Sequence, residues 1–307
     1  MILHTLLGNH SNTKALKSGQ VSSPLVHFDY FEVKVANTQF KALVRDLKYD
    51  LGELAIVTYL QAMAYGKPYV LLPATIVGRS QHHTIFYNSA RGALNPSDLT
   101  GKRVGVRAYT QTTGTWVRGF LADDYGVDVN RIRWVTFEDP HLAEYKDPEI
   151  VERAPEGKTL KQMLLDGEID AAILGDVAEE GPLKHLIPDY EAAGRAWAAK
   201  HGGVPINHLA VIRKSVAESR PDVVREVYRL LKESRYAAKE IPQGAASVAS
   251  IASIDDPLRF GITALRASLE QIVEYALRQR LIPRAFSVDE LFAPAARILG
   301  DGGDAAK

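Results

Sequence analysis

The sequence predicts an α/β protein of two lobes that close on a ligand cleft. Three observations carry this expectation. Strand-like and helix-like patterns alternate along most of the chain. The texture changes near residue 90. A strand-like run, Asn207–Arg213, then returns and is followed by almost continuous helix. A chain that builds one α/β layer, builds a second and comes back must cross twice between them, which leaves a hinged cleft. The expected division is residues 1–89 with 204–307 as the first lobe and 90–203 as the second, with 300–307 a fraying tail of Gly, Asp, Ala and Lys.

Each element has a local reason. Ile2–Leu7 is an apolar run that reads as the first strand, and Thr13–Ser18 starts a helix after the turn residues Gly8-Asn9. Leu25–Val33 alternates as a strand, and Thr38–Asp46 is a helix with Asn37 as its cap. Gly52–Tyr65 reads as a helix stopped by Gly66, Tyr69–Val77 as a buried strand, and Thr84–Asn88 as another. In the second lobe Arg103–Val106, Arg131–Phe137 and Ala171–Leu174 are strands, whereas Gly114–Asp124 and Thr159–Leu165 are helices. Pro221–Lys239, Pro257–Leu281 and Val288–Leu299 form the helical end.

Composition narrows the function. Of 307 residues 46% are hydrophobic and 24% charged, which is globular rather than disordered. Lys+Arg and Asp+Glu are 37 each, so the basic excess of a nucleic-acid partner is missing. No cysteine is present, which removes disulfides, thiolate metal sites, iron–sulfur clusters and Cys nucleophiles. No run approaches the roughly 20 apolar residues of a membrane span. The apolar start Met1–Gly8 carries no basic leader, so a cytoplasmic protein is expected, or a periplasmic one had a leader been removed. A homo-oligomer is left open.

One stretch is more specific. Gly101-Lys102-Arg103-Val104-Gly105-Val106 leads into Tyr109-Thr110-Gln111-Thr112-Thr113 and Trp116-Val117-Arg118-Gly119. It continues through Tyr125-Gly126-Val127, Trp134 and Glu138-Asp139-Pro140-His141. With Glu53-Leu54, Pro73, Gly78-Arg79, His83, Gly167–Ala172, His208 and Arg266 it resembles the 4,5-dihydroxyphthalate decarboxylase family. That resemblance implies a type 2 periplasmic-binding-protein-like fold and a carboxy-lyase acting on a hydroxylated, phthalate-like aromatic carboxylate. The chain departs from the family where acids are expected after the first strand, having Gly8-Asn9-His10-Ser11 instead. It also departs at His82, where the family has Arg, and at Asp256–Gly261, which replaces an aromatic-rich stretch. The alternative is a non-catalytic binding protein for a small anionic aromatic solute.

Such a reaction needs a carboxylate holder, a base at the para hydroxyl and an acid at the ring carbon. It needs no organic cofactor, because the hydroxyl makes the ring its own electron sink. Thr110, Gln111, Thr112 and Thr113 precede a helix whose free N–H groups and dipole suit an anion; Thr113 equally suits a plain N-cap. Arg79, after an apolar strand, could fork onto a carboxylate, as could Arg107; either could be a surface ion pair. Arg118 reads as a surface or interlobe pair, and Arg266 as a helix residue reaching the cleft. His83 is the expected acid, since histidine can give and take a proton near neutrality. It alternates with His82 on an expected strand, so the two rings should face opposite ways. Glu53, expected to open a helix, is the candidate base or hydroxyl acceptor. Asn9, His10 and His208 are expected to converge on the ligand. No His spacing on a helix supports a metal site.

Overall fold

The computed structural model describes residues 1–238, 256–300 and 303–304. The N-terminal segment runs through β1 (Ile2–Leu6), α1 (Lys14–Lys17), β2 (His27–Tyr30), α2 (Phe40–Asp46), β3 (Leu51–Ala55), α3 (Ile56–Ala64) and β4 (Tyr69–Gly78). β5 (Ile85–Asn88), β6 (Arg103–Val106), α4 (Thr112–Tyr125), β7 (Arg133–Thr136) and β8 (Val151–Arg153) follow. Then come α5 (Leu160–Asp166), β9 (Ala171–Ile173), β10 (Leu183–His185) and α6 (Tyr190–His201). The chain returns in β11 (Ile206–Arg213) and continues through α7 (Lys214–Ser219), α8 (Pro221–Ala237), α9 (Ile262–Arg278) and α10 (Val288–Leu299).

These strands form two sheets. The first has the order β2-β1-β3-β11-β4 and the second β10-β5-β9-β6-β7-β8. In the first, β1, β2 and β3 are parallel, while β11 runs antiparallel to both β3 and β4. The carboxyl ends of β1, β3 and β4 therefore meet the start of β11 along one edge. In the second, β6, β7, β8 and β9 are parallel and β5 is antiparallel to β9. The carboxyl ends of β6 and β9 meet the start of β5. In α/β sheets such edges are where ligands bind.

Alternation along the strands divides the core. Leu54, Leu209 and Val211 of the first sheet and Val104, Val106 and Ile173 of the second join Trp116, Trp134 and Ile272 in one buried cluster. Residues of opposite parity build the outer layers. Leu51, Ala210 and Ile212 pack with α8, whose Val223, Val224, Val227, Leu230 and Leu231 form one helical stripe. Phe86, Ala172 and Val135 pack with Met163 and Leu164 of α5. The Trp116 indole donates to the carbonyl of Ile206 at 2.9 Å, tying α4 to the start of β11.

Several expectations fail for tertiary reasons. Leu51–Ala55 is a strand, not the start of a helix, because it lies between β1 and β11 with every residue buried. Pairing there overrides local preference. β5 lies in the second sheet although residue 89 was the expected boundary of the first lobe. His82 and His83 sit in a 3-10 turn, His82–Thr84, rather than alternating on a strand. β8, β10 and α6 had no clear sequence signal. The last helix, Val288–Leu299, is as expected and is capped by the Ser287 hydroxyl. The tail is not simply frayed, since buried Gly303 accepts from the Tyr228 hydroxyl and Asp304 from Thr263. Lys239 and 301–302 with 305–307 lie outside the described residues. Among the described residues no helix is long and apolar enough to cross a membrane.

Candidate functional site

Register places the first group of site residues. β11 pairs Ala210 with Glu53 and His208 with Ala55, so His208 is the diagonal neighbour of Glu53 on the same face. β1 ends beside β3, which brings Gly8 and His10 to the same carboxylate. Glu53 Oε2 accepts from the Gly8 amide at 3.1 Å and from His10 Nε2 at 2.8 Å. Its Oε1 accepts from His208 Nδ1 at 3.1 Å. The 8–13 loop is fixed by Thr13, whose hydroxyl donates to the Gly8 carbonyl at 2.8 Å and accepts from the His10 amide at 3.1 Å. A Cβ on Gly8 would stand 2.6 Å from His10 Nε2, so a larger residue there would displace that ring.

Glu53 is fully buried. Burial by itself would raise its carboxyl, but the hydrogen bonds and charge of His10 and His208 outweigh it and hold the group at about 2. Glu53 therefore lies in a strand rather than opening a helix, and its buried carboxylate holds two partly exposed imidazoles, His10 and His208.

His208 continues into an aromatic chain, its ring 5.1 Å edge-on from Phe40, which is in turn 5.5 Å from His141. His141 Nδ1 shares a hydrogen bond with the Thr58 hydroxyl at 2.8 Å. Burial first, then the charges of Arg107, Lys41, His208 and Arg45, push the His141 imidazole down to about 3, so it is neutral.

The first turn of α4 packs against α3 and the start of β11. Gln111, not Thr113, is its N-cap. The Thr112 hydroxyl accepts from the Val57 amide of α3 at 3.3 Å, and that of Thr113 accepts from Asn207 at 3.3 Å. Thr110 is buried in the turn between β6 and α4. Gln111 Oε1 is buried and unpartnered. Asn9 is exposed beside His10.

A second group stands at the edge of the second sheet. His83 Nε2 bonds Asp176 Oδ1 at 2.7 Å, and Arg79 pairs with the other oxygen of the same carboxylate. Hydrogen bonding to His83 is the main cause of a lowered Asp176 pKa. Arg79 is thus already paired, although its Nε is buried without a partner. Arg107 is paired as well, with Glu138 at 2.6 Å. His82 stacks on Phe120 at 4.0 Å, and burial lowers it to about 4, so it packs as a neutral ring.

Two expectations are corrected. Arg266 is half-buried and paired with Asp289 and Glu270. Arg118 is no surface pair; it is fully buried. Sequence reading missed Asp176, Asn207, Phe40 and Thr58. Only Asp176 had a usable signal, an acid just beyond a strand of the parallel sheet. Among the described residues no group of three His, Asp or Glu side chains is arranged to hold a metal ion. His10 and His208 each face a different oxygen of Glu53.

The comparisons agree with this architecture. No family model matches the chain. It is 32% identical over 272 residues to a 4,5-dihydroxyphthalate decarboxylase of Comamonas testosteroni, covering 84% of this chain and 82% of the relative. The chain belongs to the 4,5-dihydroxyphthalate decarboxylase family. A second family member, from Pseudomonas putida, is 34% identical over 179 residues, 56% of this chain and 69% of that one. Among solved structures, the periplasmic aliphatic sulphonate binding protein of Escherichia coli superposes with a TM-score of 0.55. It is 15% identical, over 94% of this chain and 91% of that one. The alkanesulfonate-binding protein of Xanthomonas axonopodis pv. citri gives 0.54 at 16% identity, covering 96% and 97%. These two give the fold of the decarboxylase family member described here, which is periplasmic-binding-protein-like.

Proposed function

We propose that the protein is a carboxy-lyase that removes CO2 from a hydroxylated aromatic carboxylate bound between the two sheets, without an organic cofactor. The observation that carries this reading is the buried Glu53 carboxylate clamping His10 and His208, drawn from three separate segments onto one strand edge. A site that only binds an anion has no need for imidazoles held in fixed orientation by a buried acid.

In the proposed reaction the carboxylate of the substrate lies at the N-terminus of α4, against the amides and hydroxyls of Thr112 and Thr113. Gln111 Oε1 is available to a ligand hydroxyl. His10 or His208, held by Glu53, takes the proton of the hydroxyl para to the leaving carboxylate. The oxygen's electron pair moves into the ring, and the carbon bearing the carboxylate takes a proton from His83, oriented by Asp176. CO2 then leaves the dienone, and the C–C bonding pair restores the aromatic phenolate. His83 assumes the acid role and the two imidazoles replace Glu53 as the base. The chain would pass between lobes near 79–84 and 203–206.

The test is CO2 release from 4,5-dihydroxyphthalate and from related hydroxybenzoates. Release that requires a hydroxyl para to the lost carboxylate supports the reading. Tight binding without release replaces it with the solute-binding alternative.

A further inference from the structure

Arg118 has a role no contact with substrate would provide. It lies in α4, fully buried, and every hydrogen bond it makes goes to a neutral acceptor. Its Nε donates to Gln279 Oε1 at 2.6 Å, and its Nη2 to the Tyr109 carbonyl at 2.6 Å and to the Thr115 hydroxyl at 3.4 Å. Its Nη1 has no partner. The guanidinium lies 4.1 Å over the Tyr109 ring and 5.1 Å over that of Trp134. The carboxylate that acts on it electrostatically, half-buried Asp147, makes no hydrogen bond to it among the described residues. Guanidinium does not give up its proton in proteins. A buried cation without a bonded counter-ion is costly unless something balances it.

Its position adds to that cost. A Cβ on Gly114, the third residue of α4, would stand 3.2 Å from Arg118 Nη1. The unpartnered nitrogen is therefore folded back along the helix toward its N-terminal turn, and its charge adds to the positive end of the helix dipole. The Gln279 side chain fixes it there, since its Nε2 donates to the Thr115 carbonyl at 2.9 Å while its Oε1 accepts from Arg118.

We infer that Arg118 is a positioning and affinity determinant: a buried cation with no hydrogen-bonded counter-ion that raises the affinity of the α4 N-terminus for the substrate carboxylate without touching it. This deepens the reading of α4 as the carboxylate end and rests on it. Both arginines that could fork onto a carboxylate from the strand edges, Arg79 and Arg107, are already paired, with Asp176 and Glu138, so either would have to exchange a partner to hold the anion directly.

The experiment measures binding of phthalate, which lacks the para hydroxyl, and of uncharged catechol by calorimetry, together with kcat and KM for 4,5-dihydroxyphthalate. Arg118→Gln should weaken phthalate about tenfold, the order expected for a unit charge acting over roughly 12 Å at an effective dielectric of about 20. Catechol should bind as before, the kinetic loss should fall on KM, and Arg118→Lys should restore affinity by returning the charge. Should Arg118→Gln not fold, Gln279→Glu places a carboxylate on Arg118 with the arginine still in place and should weaken phthalate similarly. Equal phthalate affinity in wild type and Gln279→Glu, or equal losses in Arg118→Gln and Arg118→Lys, overturns the inference alone. A wild type that binds no aromatic carboxylate overturns both the inference and the functional reading beneath it.

Discussion

Two histidine–carboxylate groups stand at strand ends of the two sheets, and they are built in opposite ways. Glu53 is buried in the middle of a sheet, with both oxygens occupied by His10, His208 and the Gly8 amide. Asp176 lies in an exposed loop after β9, shared between His83 and Arg79, with 53% of its side chain in solvent. The first group is fixed by strand pairing and a glycine turn. The second is held by one loop and is screened by water and salt. The same two residue types therefore give a rigid orienting device in one place and an adjustable one in the other.

The largest expected effect tests the rigid group. Glu53→Gln keeps the shape but lets one imidazole lose its acceptor, and turnover should fall by about 10²–10⁴-fold, the usual worth of a positioned acid or base. A steady-state rate within threefold of wild type would remove Glu53 and its histidines from the chemistry. The adjustable group comes next. His83→Ala should lower kcat by about 10²-fold, and Asp176→Asn by less, because water can replace part of an exposed carboxylate. An unchanged kcat in His83→Ala would take the acid role away from this edge. Arg79→Ala should mainly raise KM, by severalfold, since it removes one partner of an exposed pair.

The pH dependence separates the two groups by stability rather than rate. The folded-state pKa of Glu53 lies at about 2, below its ordinary 4.5. Its contribution is therefore present above the unfolded value and is lost as pH falls from 4.5 through about 2. The melting temperature of wild type should drop toward that of Glu53→Gln across this window. A constant gap between them would contradict the buried ion pairing. The smallest effect is expected from Arg266→Ala, which breaks exposed pairs with Asp289 and Glu270 and should leave turnover unchanged and stability within about 0.5 kcal/mol.

The sequence by itself determined the α/β class, the return of the chain through β11, most element positions and the family. These depend on period-two and helical patterning and on a motif, Gly101–Val127, that is contiguous in the chain. It also singled out Glu53, His10, His208, His83 and the α4 N-terminus as candidates, Glu53 and His83 largely through the family resemblance and the others through their places beside strands and at a helix start. Tertiary structure decided which of those residues meet. Glu53 reads locally as a helix start, and only pairing with β1 and β11 makes it a strand residue and puts His208 on its diagonal. Asp176 joins His83 across 93 positions of chain, and Gln279 joins Arg118 across 161. Separations of that length leave no periodic trace, because they follow from which strands become neighbours. Arg118 shows the limit most clearly: five residues into a helix it reads as a surface cation, and packing against Tyr109, Trp134 and Gln279 makes it a buried one.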